Sequence, residues 1–181
     1  MGRPCRGREL SQPTIRPAED ADAAALWRIL EPTIRAGETY PLPPDMSEAD
    51  ALAYWRQPAH EVFVAEHYGA LVGTYYLKAN QSAGGSHVAN CGYMVAPQAW
   101  GKGIARAMCG HSLERARARG FRAMQFNLVI ASNERAVRLW QSCGMAIVGR
   151  LPGAFAHPRL GFVDALVMYR QLDRNDPSYR T

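Results

Sequence analysis

Along the chain the apolar positions change their period several times, and each change marks a predicted element. Residues 14–16 read as a short first strand. Residues 20–30 place apolar side chains three and four apart, with Asp20 and Asp22 near the start, which predicts an amphipathic helix. Pro41, Pro43 and Pro44 then interrupt the pattern with a stiff loop. Ser47 with Asp50 resembles a capping arrangement and opens a second helix that reaches Gln57. Residues 61–78 read as two strands turning at Tyr68, Gly69 and Ala70. A motif strand at residues 92–95 runs into a glycine-containing turn and a long helix. A strand at 123–129, a helix at 134–141 and a last strand at 162–169 complete the pattern, with residues 151–160 expected to form a loop. The order is strand, two helices, three antiparallel strands, helix, strand, helix, strand, strand. It predicts an α/β (α+β) fold, a mixed sheet with helices on its faces.

The turn after the motif strand carries the first chemical signal. Gln98, Ala99, Trp100, Gly101, Lys102 and Gly103 join a strand to a helix start. Such a corner presents unpaired backbone N–H groups and the positive end of a helix dipole to one point, which suits a phosphate. A dinucleotide fingerprint is excluded, because Arg106 stands at its sixth place and residues 123–129 contain no acid for a ribose. A nucleotide P-loop is excluded as well, since no glycine, four-residue, Gly-Lys-Ser/Thr run exists.

The spacing resembles the Gcn5-related N-acetyltransferase superfamily, whose pyrophosphate loop has Gln or Arg, two residues, Gly, one residue, then Gly or Ala. Gln98, Gly101 and Gly103 satisfy it, and Asn133, Ala136, Leu139, Trp140 and Gly144 follow a second motif common in that superfamily. The resemblance implies a sheet that is mostly antiparallel and splays at the cofactor site. It implies acetyl-CoA as cosubstrate, with contacts from Tyr93, Met94, Val95, Gln98, Gly101, Lys102, Gly103, Ile104, Ala105, Arg106, Asn133, Ala136 and Trp140. It also implies direct transfer, with no acyl-enzyme. Two positions depart from the superfamily. Trp140 stands where a Tyr usually protonates the departing thiolate, and an indole N–H is far too weak an acid for that. Met145 replaces a usual Phe, a change of packing.

Residues 87–95 (HVANCGYMV), FNLV at 126–129, the segment 133–140 and Val148, Gly149 and Arg150 resemble the yeast acetyltransferases that detoxify L-azetidine-2-carboxylate and related proline analogues. That resemblance covers about residues 87–170. It implies that Asn90 holds the substrate carboxylate, that the backbone amides of Asn127 and Leu128 assist, and that Asn133 lies by the sulfur. It implies that the Tyr93 amide faces the acetyl group, where a backbone donor is well suited to stabilise the oxyanion. Each residue also has a plainer reading. Asn133, after Ser132 and before a helical run, suits a helix N-cap; Asn90 and Asn127 suit local backbone bonds; Trp140 suits a pocket wall. Glu66, His67 and His87 are the candidates for taking the amine's proton, and Cys91 reads as apolar filler. Residues 37–44 and 151–160, with Phe155 and His157, are expected to rim the acceptor pocket.

Composition narrows the setting. At 181 residues and 48% hydrophobic, the chain suits one domain over residues 13–172, with flexible extensions at 1–12 and 173–181. Cys5, Cys91, Cys109 and Cys143 show no paired metal spacing, so no metal is expected and a reducing, cytoplasmic setting is. No apolar run follows Arg3, Arg6 and Arg8, and no segment approaches the ~20 apolar residues of a span, so neither signal peptide nor membrane partner is expected. The net charge of +5 comes almost wholly from arginine, Lys78 and Lys102 being the only lysines. Arg115, Arg117, Arg119 and Arg122 lack interleaved aromatics, so nucleic acid is not expected either. Three functions remain: acetylation of a small amine or imino acid, acetylation of a peptide or protein amino terminus, and a non-catalytic coenzyme A sensor. A homodimer is compatible with each.

Overall fold

The computed structural model describes residues 12–172, so the extensions expected at either end lie outside the described residues, Gln12 excepted. Seven strands and four α-helices follow one another as β1 (Thr14–Pro17), α1 (Ala23–Ala36), α2 (Glu48–Trp55), β2 (Glu61–His67), β3 (Ala70–Ala79), β4 (Val88–Val95), α3 (Ile104–Ala118), β5 (Ala123–Ile130), α4 (Glu134–Ser142), β6 (Ala146–His157) and β7 (Gly161–Gln171). One sheet contains all the strands, in the order β1-β2-β3-β4-β5-β7-β6. Every neighbouring pair is antiparallel except β4 with β5.

Strand alternation divides the core in two, because successive side chains leave opposite faces. Phe63, Ala65, Tyr75, Leu77 and Cys91 pack with Met108, Cys109 and Leu113 of α3. Val64, Tyr76 and Met94 pack on the other face with Leu26, Ile29, Leu30 and Ile34 of α1 and with Trp55 of α2. Helices therefore cover both faces, as the sequence predicts.

Two expectations need correction. The first helix does not end at Leu30: Asp20–Asp22 is a 3-10 turn, and α1 continues through Pro32 to Ala36. Its buried stripe extends to Ile34, and Gly37, at φ 62°, closes it in the left-handed conformation glycine favours. The segment 151–160 is not a loop, since β6 runs to His157 and only the turn before Gly161 is free of strand. Pro152 and Gly153 look like breakers, but β6 is an edge strand, where a missing N–H removes no ladder bond. The register shift between Leu151 and Phe155 absorbs them, and Asp164 accepts from the Gly153 N–H at 3.0 Å.

The feature that positions the site is the parting of β4 from β5. They pair only at Val88↔Ala123 and Ala89↔Met124, and then diverge. Ala96 donates to Val72 on β3, and the antiparallel parity then turns the N–H and C=O groups of Tyr93 and Val95 away from β3, into the gap.

Candidate active site

A cleft of about 1320 Å³ opens where the two strands separate. It exceeds the ordinary range of a single small-ligand pocket, up to about 1,000 Å³, and has room for two ligands.

One half is built for phosphate. Gly101 and Gly103 both sit at φ 79°, and a Cβ at Gly103 would touch nothing within 4 Å, so the backbone there is open to a ligand. No side chain caps α3, which leaves its first amides, including those of Ile104, Ala105 and Arg106, without intrahelical partners. Arg106 lines the cleft beside them. Arg135 of α4 leans over the turn, its Nη2 lying 3.7 Å from where a Gly101 Cβ would be. The residues present therefore fit a pyrophosphate. Of the expected cofactor contacts, Gln98 and Lys102 are exposed on the turn and do not line the cleft.

The centre is aromatic. Tyr93 Oη shares a 2.6 Å hydrogen bond with Ser112, and its ring lies 4.9 Å from Trp140. Trp140 is also 5.3 Å from Phe126, so it is a wall of the cleft. Burial pushes the Tyr93 phenol well above its ordinary pKa, which keeps it neutral. Above this wall the Asn133 Oδ1 accepts from the Ala136 N–H at 3.1 Å. The cap expected of Asn133 is present, and its Nδ2 is the donor left for a ligand. Cys91 lines the cleft, but burial pushes its thiol up to about 12, which leaves little nucleophilic thiolate.

The other half faces α1 and α2. Asn90 is buried there and donates from Nδ2 to the Gln125 carbonyl at 2.8 Å, bridging β4 to β5 just past their last ladder pair. Asn127 donates to Asn80 at 2.7 Å and accepts from Gln125 at 2.8 Å, so its side chain is committed. Asn127 and Leu128 also line the cleft. The β5 register slips between Phe126 and Val129, which takes both residues out of the pairing with β7. Tyr40 of the α1–α2 loop donates to the Tyr93 carbonyl at 3.0 Å, and Trp100 Nε1 donates to the Val95 carbonyl at 2.9 Å.

Glu38 to Pro41 and His157, Arg159 and Leu160 line the cleft, as the rim segments predict, while Phe155 does not. The proton-acceptor candidates Glu66, His67 and His87 are absent from its lining. Glu66 and His67 belong to β2, with β3 between them and β4, and His87 precedes β4, its carbonyl accepting from Arg122. Sequence reading placed Tyr40 only within a rim segment and missed Tyr76, Lys78 and Arg135. For Lys78 a signal existed in strand parity, because it faces Asn90 in register.

A strand edge freed beside an uncapped, glycine-led helix is the arrangement of an enzyme that draws an acyl group from coenzyme A. The comparisons agree. The acetyltransferase (GNAT) family matches residues 24–145. The N-acetyltransferase aca1 of Schizosaccharomyces pombe is 30% identical over 154 residues, covering 74% of this chain and 72% of its own. A Gcn5-related N-acetyltransferase structure from Kribbella flavida superposes with a TM-score of 0.83 at 38% identity, over 88% of this chain and 98% of that one. That of yncA from Salmonella typhimurium, solved with its cofactor acetyl-CoA, gives 0.79 at 25% identity, over 92% and 97%. The chain belongs to the GNAT family of acetyltransferases, and it is an acetyl-CoA-dependent N-acetyltransferase.

Proposed function

We propose that the acceptor is a small amino or imino acid with a free carboxylate, a proline analogue such as L-azetidine-2-carboxylate, and that the protein clears such compounds in the cytoplasm. The β5 bulge is the observation that carries this reading. It takes Asn127 and Leu128 out of register with β7 where both line the cleft, and their backbone amides are the donors this reading assigns to the carboxylate. Three free thiols among the described residues suit the cytoplasm.

The chain's own groups divide the work. Tyr93 offers its backbone N–H to the carbonyl oxygen as charge builds there, and loss of such a donor costs roughly 3 to 4 kcal/mol. Asn133 offers Nδ2 to the departing thiolate while Oδ1 holds the α4 cap. Trp140 and Phe126 keep water from the thioester. The near-absence of thiolate at Cys91 supports direct transfer to the amine.

Thiol release from acetyl-CoA tests the acceptor, with L-azetidine-2-carboxylate, cis-4-hydroxyproline, other free amino acids and short peptides supplied in turn. Release with the cyclic imino acids is expected. Release with peptides alone would replace this reading with amino-terminal acetylation.

A further inference from the structure

We propose that Lys78 anchors the acceptor's carboxylate, working with Asn90 across strands β3 and β4. The inference rests on the small-acid reading above and supplies what that reading lacks, a counter-charge.

Lys78 and Asn90 are direct register partners, so their side chains leave the same face of the sheet as neighbours. Tyr76 and Met94 occupy that face too, packed against α1 and α2, and both Lys78 and Asn90 line the cleft. With one Nδ2 hydrogen given to Gln125, Asn90 keeps a single N–H and its Oδ1 for a ligand. That hydrogen and the backbone amides of Asn127 and Leu128 are neutral donors and bring no counter-charge.

Lys78 does. Its Nζ sits 5.9 Å from the Tyr76 ring centroid, and none of the ion pairs among the described residues engages it. The other lining cations are committed elsewhere. Arg159 pairs with Glu38 at 2.5 Å, and Arg106, Arg135 and Arg138 belong to α3 and α4 on the phosphate side. His60, stacked on Tyr76 at 4.1 Å, does not compete, because burial and then the Lys78 charge lower its pKa. The carboxylate therefore meets Lys78 Nζ and the spare Asn90 N–H beside the Asn127 and Leu128 amides, while Asn90 Oδ1 accepts from the adjacent amine. A peptide amino terminus has no carboxylate beside its amine, so this subsite also selects free acids over peptides.

The test compares L-azetidine-2-carboxylate with its carboxamide, using full-length wild type, Lys78→Met and Lys78→Arg. The selectivity for acid over amide, read as the ratio of kcat/KM values, should fall about tenfold in Lys78→Met, the scale of a charged hydrogen bond. It should recover in Lys78→Arg. Wild-type turnover of the acid with selectivity indifferent to Lys78→Met overturns the anchor alone. Wild-type turnover of neither compound overturns the acceptor reading and the anchor with it.

Discussion

The hydroxyl of Tyr40 donates to the backbone carbonyl of Tyr93 at 3.0 Å, tying the α1–α2 loop to the strand edge that β5 leaves free. This bond joins the α1–α2 side of the cleft to the strand where the proposed mechanism puts the thioester. Burial raises the Tyr40 phenol's pKa, so it stays a neutral donor and does not serve as a base. Tyr40→Phe should lower kcat/KM for the acceptor roughly fivefold, one neutral hydrogen bond's ~1 kcal/mol. Steady-state kinetics check this, and an unchanged value would mean the loop is held by packing alone.

Asn133 caps α4 through Oδ1, and the proposed mechanism gives its Nδ2 to the thiolate; two substitutions separate the two roles. Asn133→Asp keeps an oxygen for the Ala136 N–H and loses the Nδ2 donor. Its melting temperature should stay close to wild type while kcat falls by more than about tenfold. Asn133→Ala loses both functions and should cost about 1 kcal/mol of stability as well. A turnover loss that merely tracks stability would reduce Asn133 to a cap.

Gly92 is small because Tyr76 lies across it. A Cβ there would stand 2.6 Å from Tyr76 Cε1, well inside contact distance. Gly92→Ala should cost about 1 to 3 kcal/mol through overpacking. By displacing the Tyr76 ring it should also raise the acceptor KM more than the acetyl-CoA KM. Chemical denaturation and two-substrate kinetics measure the two effects.

Acid sensitivity should concentrate at the start of α1. Arg16 binds Asp22 through two hydrogen bonds, at 2.8 and 2.9 Å, and the Glu19 N–H adds a third at 2.8 Å. The Arg16 bonds hold the Asp22 carboxyl below its ordinary pKa, and the bond from Glu19 lowers it further. A depressed carboxylate stabilises the fold above its unfolded pKa, about 4, and that contribution is lost as pH falls through the folded value. Asp22→Asn should therefore destabilise by about 2 kcal/mol at neutral pH, with the gap to wild type closing below about pH 4. Melting temperatures across pH 3 to 7 read it out.

Local signals carried the fold a long way. The Tyr68-Gly69 turn, both residues at positive φ, is the hairpin expected between residues 61 and 78. The Ser47 cap is there too, accepting from the Asp50 N–H at 3.1 Å. The glycine turn into α3 was legible because glycine spacing and a helix start are local. The extension of α1 beyond Leu30 and the strand over residues 151–157 were not legible, since neither a buried stripe that continues past Pro32 nor an edge position shows in the adjoining residues. The Tyr40 bond to Tyr93 and the role of Tyr76 were not legible for a related reason. Tyr40 acts 53 positions from its partner carbonyl, and Tyr76 works through the absence of a side chain on a neighbouring strand.

The most direct test of the account offers wild-type protein acetyl-CoA with an equimolar mixture of L-azetidine-2-carboxylate and a short peptide with a free amino terminus, and identifies the acetylated product by mass spectrometry. N-acetyl-azetidine-2-carboxylate as the main product is the predicted result. Acetylated peptide with an untouched imino acid would contradict it.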